Sequence, residues 1–231
     1  MSSKITSSNQ QAILQNAIAL HQAGKLKEAA DSYKQLLKQY PKDPDLLTSL
    51  GMVALQLGDF KECIKLLGQS LQFAPKQPQA LCSRGVALQE LKRHKEALIN
   101  YDRAITLKPD YIDAYYNRGN TFKSLERFNE ALTDFDKVIS LDPADVLAVR
   151  NRGNTLQELN RFEEAINSYN QAIGLIPNHS ITYYNRANAL QELNRYEEAI
   201  ASYDQALSLN PNYAEAHSSR GNALYELKRY E

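Results

Sequence analysis

Residue types able to do chemistry are few in this chain, and their spacing speaks against catalysis. The four histidines, His21, His94, His179 and His217, fall at unequal distances with no repeated metal-ligand spacing. His94 stands where equivalent segments carry Phe or Tyr, so it reads as a packing residue. The two cysteines, Cys63 and Cys82, make neither a CxxC pair nor a disulfide framework, and no base is expected beside either. There is no GxxxxGK and no strand-borne GxGxxG to cradle a phosphate. A nucleophile, a base and an orienting group have to converge for catalysis, and here nothing makes them do so. The chain is therefore expected to be no enzyme, and to need neither cofactor nor metal.

What does recur is the amide. Asn117, Asn151 and Asn185 stand 34 residues apart, and Asn120, Asn154, Asn188 and Asn222 repeat the same interval three positions on. Residues three apart are neighbours on a helix, so these form two rows on one face. An amide has donors and an acceptor at fixed spacing, so a row of them can bond the backbone of an extended peptide whatever its side chains. The alternative is a solvated helix surface or a remnant of duplication. Asn forms helix less readily than Glu, Lys or Gln, which favours a use for it. Tyr116, Tyr184 and Arg150 adjoin the rows and offer stacking and a charge for an anionic group; for the tyrosines, partial core burial is the competing expectation.

The elements that position these residues come from the period. Prolines recur at Pro41, Pro75, Pro109, Pro143, Pro177 and Pro211, and small residues keep phase with them at Ala17, Gly51, Gly85, Gly119, Gly153, Ala187 and Gly221. A third series runs Ala29, Cys63, Ala97, Ala131, Ala165 and Ala199. A fourth, mostly aromatic, runs Tyr33, Leu67, Tyr101, Phe135, Tyr169 and Tyr203. Within one period Leu81, Leu88 and Leu91 mark one helix stripe and Leu98, Tyr101 and Ile105 a second. Small residues at Gly85 and Ala97 should let the two helix backbones approach closely. Pro109 ends the second helix, and Asp110, Asn178 and Asn212 are expected to cap the next one. One such hairpin buries too little to order itself, so neighbours must stack in line.

Charge adds local detail and excludes some partners. Lys plus Arg and Asp plus Glu both number 27, giving no net field to gather nucleic acid or an anionic membrane. The longest stretch without a charge, residues 5–24, is too polar to span a bilayer, and the first ten residues lack an apolar signal core. With its unpaired cysteines the chain is expected to be cytoplasmic. Glu90, Glu158, Glu192 and Glu226 precede Arg93, Arg161, Arg195 and Arg229 of the arginine row, which also includes Arg127, by three places and are expected to pair with them. Arg84, Arg118, Arg152, Arg186 and Arg220 are expected to bury their stems and reach Asp102, Asp136 or Asp204.

The pattern resembles the tetratricopeptide repeat, carried in the fourth unit by Tyr115, Arg118, Gly119, Phe122, Ala131, Phe135, Val138 and Pro143. Units one and two depart from it at Ala23, Leu36, Ala54, Cys63, Leu67 and Ser70. The resemblance covers residues 10–231. It implies an all-α, right-handed superhelical solenoid of antiparallel hairpins, six full repeats and a half. Residues 1–9 would be a flexible leader, followed by repeats at 10–43, 44–77, 78–111, 112–145, 146–179, 180–213 and a partial 214–231. The first helix of each hairpin would line a concave face, bringing both asparagine rows, Tyr116, Arg150, Tyr184 and a reagent-accessible Cys82 to it. The amide rows are similar to those of O-linked N-acetylglucosamine transferase-type proteins. The carboxylate clamp of chaperone-binding members is incomplete, since Glu215 and Ser219 stand where it needs cations. The expected function is a scaffold that binds an extended peptide or partner protein. The alternatives are a substrate-recruiting arm of a larger glycosyltransferase-like enzyme, or a homo-oligomer formed through an open end at Tyr230 and Glu231.

Overall fold

A computed structural model describes residues 8–227 of the chain. Residues 1–7 of the expected leader, together with Arg229, Tyr230 and Glu231, lie outside the described residues. Among those described the fold is all-α, thirteen helices and no strand. They are α1 (Ser8–Gln22), α2 (Leu26–Leu37), α3 (Pro44–Gln56), α4 (Phe60–Phe73), α5 (Pro78–Glu90), α6 (His94–Leu107), α7 (Ile112–Ser124), α8 (Phe128–Leu141), α9 (Val146–Glu158), α10 (Phe162–Leu175), α11 (Ser180–Glu192), α12 (Tyr196–Leu209) and α13 (Ala214–Glu226). They read as six hairpins and the first helix of a seventh. The second helices begin at 26, 60, 94, 128, 162 and 196, keeping the 34-residue interval without slippage.

Helix ends obey local chemistry, though not always at the expected residues. Pro44 and Pro78 open α3 and α5, where a missing N–H is harmless. The carboxylates of Asp43, Asp59 and Asp145 accept backbone N–H groups at the starts of α3, α4 and α9. Asn178 and Asn212 do not cap: the N-cap residues of α11 and α13 are His179 and Tyr213, neither with a side-chain cap bond. Asp110 likewise lies two residues before Ile112, where α7 begins. These polar residues form the turn after the proline instead. The turn inside each hairpin needs a left-handed residue, supplied by Gly24 and Gly58 first, then by Lys92, Glu126, Asn160 and Asn194 with φ between 56° and 60°.

The chain forms two compact units, one through Thr121 and one from Phe122. In the first, helices α1 to α6 pack each on the next, and α3 also touches α5. Its core holds Tyr33, Leu36, Leu46, Val53, Leu67, Leu81, Leu88 and Tyr101. In the second, α8 to α13 pack in the same serial way, and α9 touches α11 and α11 touches α13. Leu156, Ile166, Tyr169, Leu190 and Tyr203 fill its core.

The small-residue series has a different cause from the one expected. A Cβ at Gly85 would come within 2.6 Å of Cε1 of Tyr101, one at Gly153 within 2.7 Å of Cε1 of Tyr169, and one at Gly51 within 2.7 Å of Cδ2 of Leu67. It is the large side chain of the following helix that requires the space, not the backbone. In these three hairpins the small residue and the large side chain 16 positions on thus describe one contact repeated.

Two charge expectations part company. Arg93, Arg127, Arg161 and Arg195 do not turn back to Glu90, Glu158 and Glu192; they reach forward to Glu96, Glu130, Glu164 and Glu198 at 2.7–2.8 Å. The left-handed residue between breaks the helix, so a three-residue interval there no longer brings side chains together. Arg118, Arg152 and Arg220 do meet Asp102, Asp136 and Asp204, at 2.6, 2.6 and 2.5 Å. Cys82, expected to be reachable, is buried, as is Cys63. No helix among the described residues is long and apolar enough to cross a membrane.

Candidate functional site

Four of the candidate residues converge in the second unit. Arg150, Asn151 and Asn154 on α9, with Asn185 on α11, line one cleft of about 300 Å³ together with Tyr169, His179, Ile181 and Thr182. α9 and α11 are first helices of successive hairpins and touch one another, so equivalent positions come side by side. Asn185 bridges them by donating Nδ2–H to Oδ1 of Asn154 at 3.0 Å.

The ninth-position amides are tied to the core. The hydroxyl of Tyr169 donates to Oδ1 of Asn154 at 2.8 Å and lies 3.0 Å from Oε1 of Gln157. Tyr203 repeats this with Asn188 at 2.7 Å and Gln191 at 3.1 Å. Tyr101, with Val86 at the asparagine position, donates to Oε1 of Gln89 at 3.2 Å and also bonds the Thr121 side chain. The fourth hairpin has Phe135, which needs no acceptor, and Lys123 in place of the glutamine. A buried phenol must have a partner, and these amides provide it. Gln89, Gln157 and Gln191 carry no ligand-facing signal in the sequence, but they stand in the 34-residue register, broken by Lys123, in the hairpins of Tyr101, Tyr169 and Tyr203.

At the cleft's charged end, Nη1 of Arg150 stands 2.5 Å from Nε2 and 3.1 Å from Nδ1 of His179, and Nδ1 is 2.9 Å from the Thr182 hydroxyl. A guanidinium can only donate, so the imidazole facing it must be neutral and accept. Burial first, and the Arg150 charge second, hold the His179 pKa below its ordinary value. Nε of Arg150 is buried without a hydrogen-bond partner. In the sequence His179 is one of four scattered histidines; its place as the residue before α11 brings it to Arg150.

Tyr184 is half-buried, its ring 5.9 Å from Tyr203 and 4.9 Å from Tyr213 in a tilted cluster against the core. Asn222 is exposed on α13. Tyr116, Asn117 and Asn120 are half-buried on α7 in the first unit. Asn117 donates Nδ2–H to the Asp113 carbonyl of its own helix at 2.7 Å.

Family models described as "TPR repeat" match residues 90–125, 153–194 and 187–228, and models described as "Tetratricopeptide repeat" match 112–145 and 20–84. The chain belongs to the tetratricopeptide repeat family. None of these matches is to a catalytic family. Among curated proteins there is no match. Many solved structures are similar. One is pilF of Pseudomonas aeruginosa, 18% identical with a TM-score of 0.77, over 92% of this chain and 97% of that one. Another is YrrB, described as a TPR protein with an unusual peptide-binding site, 17% identical with a TM-score of 0.74, over 83% of this chain and 98% of that one. A third is MamA, 23% identical with a TM-score of 0.67, over 72% and 91%. At these identities the likeness is one of fold.

Proposed function

We propose that the chain is a protein-interaction scaffold that holds an extended segment of a partner protein, with the cleft between α9 and α11 as its principal contact. The observation that carries this is the convergence of Arg150, Asn151 and Asn185 in one cleft on two touching first helices. Asn154 and Asn188 support rather than bind, since core tyrosines occupy their carbonyls. The binding role passes to Asn151 and Asn185, whose amides suit a peptide backbone. Ile181 is half-exposed at the cleft, and Leu147 holds the same register position one hairpin earlier. A partner segment with an apolar side chain beside an anionic one fits this lining. YrrB, a protein of the same fold with a peptide-binding site, agrees with such a use.

The test is a peptide array probed with the native chain and with an Arg150→Ala, Asn151→Ala, Asn185→Ala triple variant. The variant should lose most peptides that the native chain retains while its helical circular dichroism is unchanged. Retention of the same peptides at the same strength would remove the cleft from consideration.

A further inference from the structure

The arginine row leaves one member without its acceptor. Arg118, Arg152 and Arg220 each take an aspartate from the preceding second helix at 2.5–2.6 Å. Arg186 takes Oδ1 of Asn170 at 2.9 Å. Each of these acceptors lies sixteen residues earlier in the chain, and Arg152 and Arg186 have a second, Ser168 and Ser202, sixteen residues later. Sixteen residues before Arg84 stands Gly68. A Cβ built there would meet only Nε of Arg84, at 3.9 Å, so the aspartate's place is open. Nε of Arg84 is buried with no hydrogen-bond partner, and Nη1 reaches Oδ1 of Asn100 only at 3.5 Å.

That open place belongs to a cleft of about 480 Å³ between α4 and the α5–α6 hairpin, within the first unit. Lys65, Arg84 and Arg103 line it with Gln69 and Gln72, and no carboxylate does. The nearby acids bond other cations, although Glu96 also feels the Arg84 charge. Glu96 receives both Arg93 bonds at 2.7 and 2.8 Å, and Glu62 holds Lys65 at 3.1 Å. Arg103 has no ion-pair partner among the described residues. A guanidinium left with a buried, unpaired N–H in a cationic cleft is a recognition element for an anion.

We propose that this cleft binds a carboxylate, an Asp or Glu side chain of a partner protein, at Arg84, in the place where later hairpins supply an aspartate of their own. Carboxylate is favoured over other anions because the sibling arginines are built around it in the same frame. The site is separate from the α9–α11 cleft and does not depend on it.

The experiment tracks the Arg84 Nε–Hε resonance of the full chain by NMR during titration with a blocked Asp-rich peptide, its Asn counterpart, succinate and inorganic phosphate. A saturable shift with the Asp peptide, with succinate or with both upholds the site, and their order of affinity names the source of the carboxylate. Gly68→Asp supplies the acceptor internally and should weaken carboxylate binding at least tenfold. Arg103→Gln, an exposed change that leaves packing alone, should weaken it about threefold and gives a second reading should Gly68→Asp disturb folding. No saturable shift with either carboxylate, tighter binding of phosphate, equal binding of the Asn peptide, or native affinity in both variants would each overturn the proposal.

Discussion

The Tyr169 hydroxyl and Oδ1 of Asn154 lie 2.8 Å apart, joining the second helix of the fifth hairpin to its first from inside. Tyr203 and Asn188 repeat the bond at 2.7 Å one hairpin later. The asparagines that look like one ligand face thereby take different parts: Asn154 and Asn188 hold core tyrosines, Asn154 from the wall of the cleft, and Asn151 and Asn185 front the cleft.

Removing that phenol while keeping its ring isolates the bond. Tyr169→Phe should destabilise the chain by about 1 kcal/mol, the net worth of one buried hydrogen bond. Phe135 shows that the ring alone fits this position. Asn154→Ala should have a similar or smaller effect because Gln157 still accepts. The double variant should fall short of the sum, which thermal denaturation of all four proteins would measure.

The Arg152–Asp136 pair, at 2.6 Å, has a half-buried guanidinium and an exposed carboxylate. Asp136→Ala should lower stability by only about 0.5 kcal/mol, since solvent screens the pair and Ser168 still accepts from Arg152 at 2.7 Å. The deficit should shrink in ~1 M salt. A melting temperature unaffected by the substitution at low salt would show that the row contributes no stability.

His179 gives stability a pH dependence. Its folded pKa lies below the ordinary 6.5, so as pH falls the unfolded chain binds a proton before the folded one does. The stabilisation is complete above pH 6.5 and is lost as pH falls through the folded pKa. Chemical denaturation at a series of pH values from about 7.5 to 5.5 should show this decline, and His179→Gln should flatten it.

Neither cysteine should react in the folded chain. Cys63 and Cys82 are buried and their thiol pKa values are pushed up to about 12, chiefly by that burial. Labelling by an aromatic disulfide reagent should be slower than for the denatured chain by a factor on the order of a hundred. Rapid labelling of one thiol under native conditions would place Cys82 on an open face after all.

The fold was legible because its signal is periodic: prolines, small residues and aromatics recur at 34, and the helices keep that interval. What escaped the sequence were relations that depend on where the chain turns. The Glu90–Arg93 interval looks helical, but Lys92 is left-handed and turns Arg93 toward Glu96. Cys82 lies on a first helix whose face is set by the next hairpin, and packing there closes over it. At the cleft, the asparagine spacing was visible but its division of labour was not. Only the distance from Tyr169 or Tyr203 separates a supporting amide from one that fronts the opening. Gly68 likewise looks ordinary until Nε of Arg84 is seen without an acceptor.

The most direct measurement of the central claim is side-chain amide NMR of the full chain titrated with a peptide selected on the array. The Asn151 and Asn185 side-chain NH₂ signals should shift saturably, with Arg150 Nε–Hε moving alongside, while Asn222 stays in place. Saturable binding that shifts second-helix residues and leaves Asn151, Asn185 and Arg150 unmoved would contradict the α9–α11 cleft as the binding site.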